Sequence, residues 1–353
     1  MYDRWHYPFS FTPGTRSVAT CFGAAGSAAF NDRDGCVVVV WNTGALLPAG
    51  LGVEAYGVRS VRVTLTNPKD ATWQIDTTVD EWFTYDVNGD DQLNADGVAR
   101  GEPGDLDGES DDADAGRPIE LFGAGFGPTY TLQTWTETSL YVGSDSVSDL
   151  PRDPFPFVFL GGGPDALHVE DNVKGLHNAG LGVYQFTPQP WAIGNPQQYT
   201  PGSQPTPFDV TFDVDLGLSG GSVRWYFREQ LNAGRVAVYV TSLREALMFG
   251  SGPQLPAFFM KEGLSLDPGA KAARLDIDAC QPVGPDFDFD CDVDEDDLDA
   301  FEVCQTGPGL GPPATGCERA DFDNDLDVDS TDFAAWQRCS SGPGNDPQPH
   351  CDE

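Results

Sequence analysis

Two segments near the C-terminus place an aspartate at almost every second position, and they superimpose on each other at an offset of 35 residues. DFDFDCDVDEDDLDAFEVC begins at Asp286 and DFDNDLDVDSTDFAAWQRC at Asp321, and each ends in a cysteine 18 positions on. Carboxylates this dense cannot enter a folded core unless something cancels their charge. Oxygen donors at loop positions 1, 3 and 5, a main-chain carbonyl at 7 and a carboxylate at 12 form the set that a hard divalent ion requires. In the first segment these are Asp286, Asp288, Asp290, Asp292 through its backbone, and Asp297. In the second they are Asp321, Asp323, Asp325, Asp327 through its backbone, and Asp332. Asp294 and Asp329 stand at position 9, where a side chain acts directly or through water. Phe at position 2, Val at 8 and an apolar residue at 13 recur in both copies, which a merely solvated acidic run would not keep. The expectation is one Ca2+ ion in each loop.

The tandem resembles a dockerin module, both in the Asp at position 12 and in the helix expected after each loop. That resemblance implies a small α module of two calcium loop–helix repeats over residues 280–353. It departs from the pattern at position 6, normally a glycine with positive φ, where Cys291 and Leu326 stand. Dockerins read a cohesin partner through positions 10 and 11. Ser330-Thr331 looks like such a pair, and Glu295-Asp296 does not.

Eight cysteines, at 21, 36, 280, 291, 304, 317, 339 and 351, fall into four local pairs. No C-x-x-C is among them and the four histidines are scattered, so zinc is disfavoured. Cys304 and Cys339 are equivalent in the repeat, and each precedes a Gly-Pro turn and another cysteine, which pairs Cys304 with Cys317 and Cys339 with Cys351. Cys280–Cys291 and Cys21–Cys36 follow by exclusion. Locally paired cysteines in even number point to an oxidising compartment, hence to an extracellular or cell-surface protein. The opening MYDRWHYPF has no signal-peptide pattern, so a leader is expected to have been removed.

The formal net charge is −37. Residues 281–353 hold 20 Asp/Glu against 2 Lys/Arg, a net of −18, and residues 86–117 hold 11 against 2, a net of −9. Such a chain is repelled by nucleic acids and anionic lipid, and no apolar run approaches the length of a membrane span. In the acidic insertion Asp86, Asn88, Asp90, Gln92 through its carbonyl and Asn94 again follow the 1-3-5-7-9 order, although position 12 is Gly97. Asp105, Asp107, Glu109 and Asp111 form a second, looser set. One or two further Ca2+ ions are expected between 86 and 114.

Residues 1–279 read as an all-β domain that carries this insertion at 86–117. FDVTFDVDL at 208–216 alternates apolar and polar residues without a break. Val61, Val63 and Leu65, then Val236, Val238 and Val240, then Leu275 and Ile277 repeat the period, while CVVVVW at 36–41 reads as a strand covered on both faces. Val223, Tyr226, Phe227 and Leu231 keep helical spacing and predict one short helix. Short strands between Gly/Pro turns predict a large β-sandwich. WNTGALLPAGLGVEAYGVRSVRVTLT at 41–66 and VRWYFREQLNAGRVAVYVTSL at 223–243 resemble the DNRLRE-type, jelly-roll-like sandwiches of secreted bacterial proteins.

The chain has no G-x-S-x-G elbow, H-E-x-x-H, P-loop or helix-opening G-x-G-x-x-G. His168, Glu170, Asp171 and His177 form a possible metal cluster, though a polar surface loop accounts for them as well. Trp73, Trp82 and Trp191, flanked by polar or Pro-rich sequence, are the candidates for a carbohydrate-stacking surface. The expectation is an exported, non-enzymatic, calcium-binding structural or surface protein that assembles with copies of itself or with other surface proteins. The alternative is a carbohydrate-binding or polysaccharide-degrading protein anchored by its C-terminal tandem.

Overall fold

The structure, a computed structural model, describes residues 1–7, 16–22, 35–68, 75–79, 117–142, 153–159, 166–167, 189–196, 207–242 and 255–352. The strands are β1 (Tyr2–His6), β2 (Val18–Thr20), β3 (Cys36–Asn42), β4 (Gly57–Asn67), β5 (Ile75–Asp76), β6 (Arg117–Gly125) and β7 (Phe155–Phe159). They continue with β8 (Ala166–Leu167), β9 (Ala192–Ile193), β10 (Phe208–Asp213), β11 (Arg235–Ser242), β12 (Ala257–Phe259) and β13 (Arg274–Cys280). The described residues contain three α-helices, α1 (Leu218–Asn232), α2 (Glu295–Cys304) and α3 (Ser330–Cys339). The protein is therefore sheet-rich, and its pairings are mostly antiparallel.

An eight-stranded sheet has the order β1-β3-β11-β6-β7-β8, with β5 and β9 also pairing β6. The other sheets are β10-β4-β13 and β12-β2. β3 lies between β1 and β11, with Val40 opposite Tyr2 on one side and Ala237 on the other. Val37, Val38, Val39 and Val40 are all essentially inaccessible, which explains why this strand is apolar on both faces rather than alternating. Each such valine contributes roughly 1.5–3 kcal/mol of burial. β11 shares this two-faced burial along almost its whole length, so the alternation expected at Val236, Val238 and Val240 is replaced by a strand that Ala237 and Tyr239 also bury. β10 keeps the alternation, with Phe208, Val210 and Phe212 inward and Asp209 and Thr211 less covered.

The chain divides into two compact units, one formed by residues 1–43, 62–223 and 235–276 and the other by 44–61, 224–234 and 277–353. In the second unit, Gly44 and Gly50 donate backbone bonds to Gly234 and Asn232, which ties the 44–61 segment to the end of α1. Val223, Tyr226, Phe227 and Leu231 are all buried, so the helical phase read from their spacing holds. Trp225 on the same helix is partly exposed. Residues 219–221 at its start have left-handed φ, so the regular helix begins after them.

Three of the four expected disulfides are present: Cys280–Cys291, Cys304–Cys317 and Cys339–Cys351. Cys21 and Cys36 are buried thiols and do not form the fourth. The sulfurs are turned to different acceptors, Cys21 Sγ to the carbonyl of Val240 and Cys36 Sγ to that of His6.

Candidate metal centre

In each C-terminal repeat the sequence dictates a loop that ends by starting a helix. Asp294 and Asp329 are the N-caps of α2 and α3, and their side chains accept from the backbone N–H of Asp296 and Thr331. Three residues on, Asp297 and Asp332 reach back to the N–H of Asp294 and Asp329, completing a capping box. The same two carboxylates accept from Phe287 at 2.6 Å and from Phe322 at 2.7 Å, so position 12 closes the loop onto position 2.

Inside the loops each carboxylate gathers backbone donors. Asp286 accepts from Asp290 and Cys291, and Asp321 from Asp325 and Leu326. Asp288 and Asp290 accept from the second residue after each, as do Asp323 and Asp325. Matching bonds differ by no more than 0.2 Å between the two copies. Such a path forces left-handed backbone at position 6, where Cys291 has φ 76° and Leu326 φ 74°, and again at position 4, where Phe289 has φ 63° and Asn324 φ 60°. Glycine is absent, but the conformation that glycine favours is present.

Ligand atoms of Asp286, Asp288 and Asp290 lie within 4.8 Å of one another, as do those of Asp321, Asp323 and Asp325. Asp292, Asp294 and Asp297 form a further group of this kind. Three carboxylates at this separation repel strongly unless a cation joins them, and an all-oxygen donor set suits a hard divalent ion. These clusters could hold a metal ion. In the first loop burial, and then the charges of Asp288 and Asp290, push the Asp286 carboxyl up to about 7. Burial likewise raises Asp297 to about 7 and Asp290 to about 6.

The side chain at position 7 takes a different role from its carbonyl. Asp292 accepts from Gly344, in the turn after α3, and Asp327 from Gly309, in the turn after α2, each at 2.6 Å. The carbonyl of Val293 accepts from the N–H groups of Ser341 and Gly342 while its own N–H donates to Ser341 Oγ, and Val328 does the same with Thr306, Gly307 and Thr306 Oγ1. Each loop thus holds the turn behind the other repeat's helix. Val293, Val328, Phe301 and Trp336 form the shared core, with Phe287, Phe322, Leu298 and Phe333 packed against it. The apolar positions 2, 8 and 13 of both repeats meet there.

Sequence reasoning missed four arginines around the first loop. Arg224 donates to the carbonyl of Asp288 at 2.9 Å and to its carboxylate at 2.6 Å, with its other Nη 3.8 Å from Asp290. Arg59 donates to the carbonyl of Cys291 and pairs with Asp346 and Asp278. The guanidinium groups of Arg228 and Arg319 lie 3.2 and 4.1 Å from the centre of the Phe289 ring, and burial lowers both pKa values. A signal was available: Arg224 and Arg228 stand four apart on a predicted helix, a basic stripe in a chain with 19 Lys/Arg in total. A separate carboxylate group, Asp3, Glu137 and Glu262, has its own counter-charge in Lys261, which pairs with Glu137 and Glu262.

Of the remaining expected sites, only Trp191 lies among the described residues. Trp191 is buried and packs on Phe157 and Phe159, so it cannot belong to an exposed carbohydrate surface. Trp73, Trp82, His168, Glu170, Asp171, His177 and the insertion set Asp86, Asn88, Asp90, Gln92, Asn94, Asp105, Asp107, Glu109 and Asp111 lie outside the described residues. Among the described residues no helix is long and apolar enough to cross a membrane. Comparison of the chain with protein-family models, with curated proteins and with solved structures finds no match.

Proposed function

We propose that the two C-terminal loops bind Ca2+ and that the chain is an exported, non-enzymatic structural or surface protein. Ion binding would rigidify its C-terminal module. The observation that carries this reading is the duplicated framework of positions 1, 3 and 5, with three carboxylates gathered within 4.8 Å in each copy. Three disulfides in and around the module support export, since such bonds persist in oxidising compartments. The sheet-rich remainder is read as a jelly-roll-like β-sandwich that carries the module. Bound ions would neutralise carboxylates that otherwise hold copies of the chain apart, so assembly into a filament or layer is the proposed role. Negative-stain microscopy of the whole chain, with calcium and then with chelator, tests it. Ordered polymers that dissolve on chelation support the proposal. Monomers under both conditions that retain binding on a glycan array contradict it and favour the carbohydrate reading.

A further inference from the structure

The two loops offer the same donor residues at positions 1, 3, 5, 9 and 12, so a difference in their affinity for an ion must come from groups other than these ligands. One such difference is plain. Both oxygens of Asp288 have donors: Oδ1 accepts from the N–H of Asp290 at 3.2 Å and Oδ2 from Arg224 at 2.6 Å. Arg224 is held in place by a second bond, to the carbonyl of Asp288, and its side chain is 16% exposed. At the equivalent Asp323, Oδ1 accepts from Asp325, and among the described residues no ion pair reaches Asp321, Asp323 or Asp325. The first loop therefore carries an internal cation on two of its position 1-3-5 carboxylates, and the second does not.

We propose that Arg224 is a built-in counter-cation of the first loop. Resting on the reading of both loops as calcium sites, the proposal is that Arg224 competes with the ion and staggers the two affinities. A dication entering the first loop must displace the guanidinium from Asp288 or bind beside its positive charge, and either opposes binding. The second loop fills first, and the first fills only at higher calcium. Arg224 comes from α1, not from the tandem repeat, so the stagger is imposed by a distant part of the chain.

Calorimetric titration of the whole chain with Ca2+ tests this, with Asp321→Asn as the background so that the first loop is read without its twin. Arg224→Gln in that background should tighten the first-loop constant roughly tenfold, the scale expected for removing a half-buried charge that faces a dication. Arg224→Lys, which keeps the charge but loses the fork, should tighten it less and guards against a folding defect in the glutamine variant. An unchanged or weakened constant in Arg224→Gln overturns the proposal and makes Arg224 a support of the loop. Failure of the calcium reading itself would show separately, as a wild-type chain whose calcium uptake Asp321→Asn leaves unaltered.

Discussion

The loops Asp286–Asp297 and Asp321–Asp332 share a hydrogen-bond pattern but not an environment. In the first, Asp286, Phe289 and Cys291 are buried, a disulfide joins Cys291 to Cys280, and four arginines line the approach. In the second, Asp323, Asn324 and Asp325 are exposed and Leu326 is 65% exposed. The shared aspartates give a near-identical backbone because the donors and acceptors that shape the loop are local. Electrostatics differs because it depends on what the rest of the chain brings alongside. A loop's ligand set is thus a local property, whereas its affinity is a property of the unit.

The comparison breaks first at position 12. Asp297→Ala and Asp332→Ala each leave part-buried backbone N–H groups without an acceptor, and each should cost about 2–4 kcal/mol in denaturant unfolding. Equal costs would confirm that the framework is shared. A much smaller cost for Asp332 would show that the second loop is not held by its twin's bonds.

The next effect belongs to the first loop. Asp286, Asp290 and Asp297 have raised pKa values when folded, so the folded state holds protons that the unfolded state releases, and their contribution to stability is lost as pH rises. Without metal, the melting temperature should fall by about 5 °C or more between pH 4.5 and 7.5. Asp286→Asn should flatten that slope, and a melting temperature that rises with pH would contradict the assignment. Added calcium should stabilise most at the upper end of this window.

Gly57 probes the packing that only the first loop has. A Cβ there would run into the sulfurs of the Cys280–Cys291 disulfide, and Val58 next to it donates to the carbonyl of Phe289 at 2.8 Å. Gly57→Ala should destabilise by roughly 1–3 kcal/mol through overpacking, measured by chemical denaturation. The smallest effect is in the second loop. Leu326→Gly removes an exposed side chain from left-handed backbone and should stabilise by about 0.5–1 kcal/mol, and a loss would show that the leucine packs on something.

Much of this was legible in the sequence because it is local. Cys291 and Leu326 read as a departure at a position that normally holds glycine, yet both take the left-handed backbone, and the recurring apolar positions 2, 8 and 13 meet in one shared core. The repeat symmetry paired Cys304 with Cys317 and Cys339 with Cys351, as observed. What failed depended on distant partners. Cys21 and Cys36 have a plausible separation in sequence, but their sulfurs are drawn to two other strands. Trp191 has polar and Pro-rich neighbours in sequence, yet two phenylalanines of β7 cover it. No local pattern announces that residues 44–61 and 224–234 belong with the C-terminal tandem, and it is these segments that bring Arg59, Arg224 and Arg228 to the first loop.

The central claim is that the tandem is a pair of ion sites. Its most direct test is calorimetric stoichiometry of the whole chelator-treated chain with Ca2+, compared with the Asp286→Asn/Asp321→Asn double variant. The account predicts that the variant binds two fewer ions per chain, one lost from each loop. Unchanged stoichiometry in a variant that still folds would contradict it.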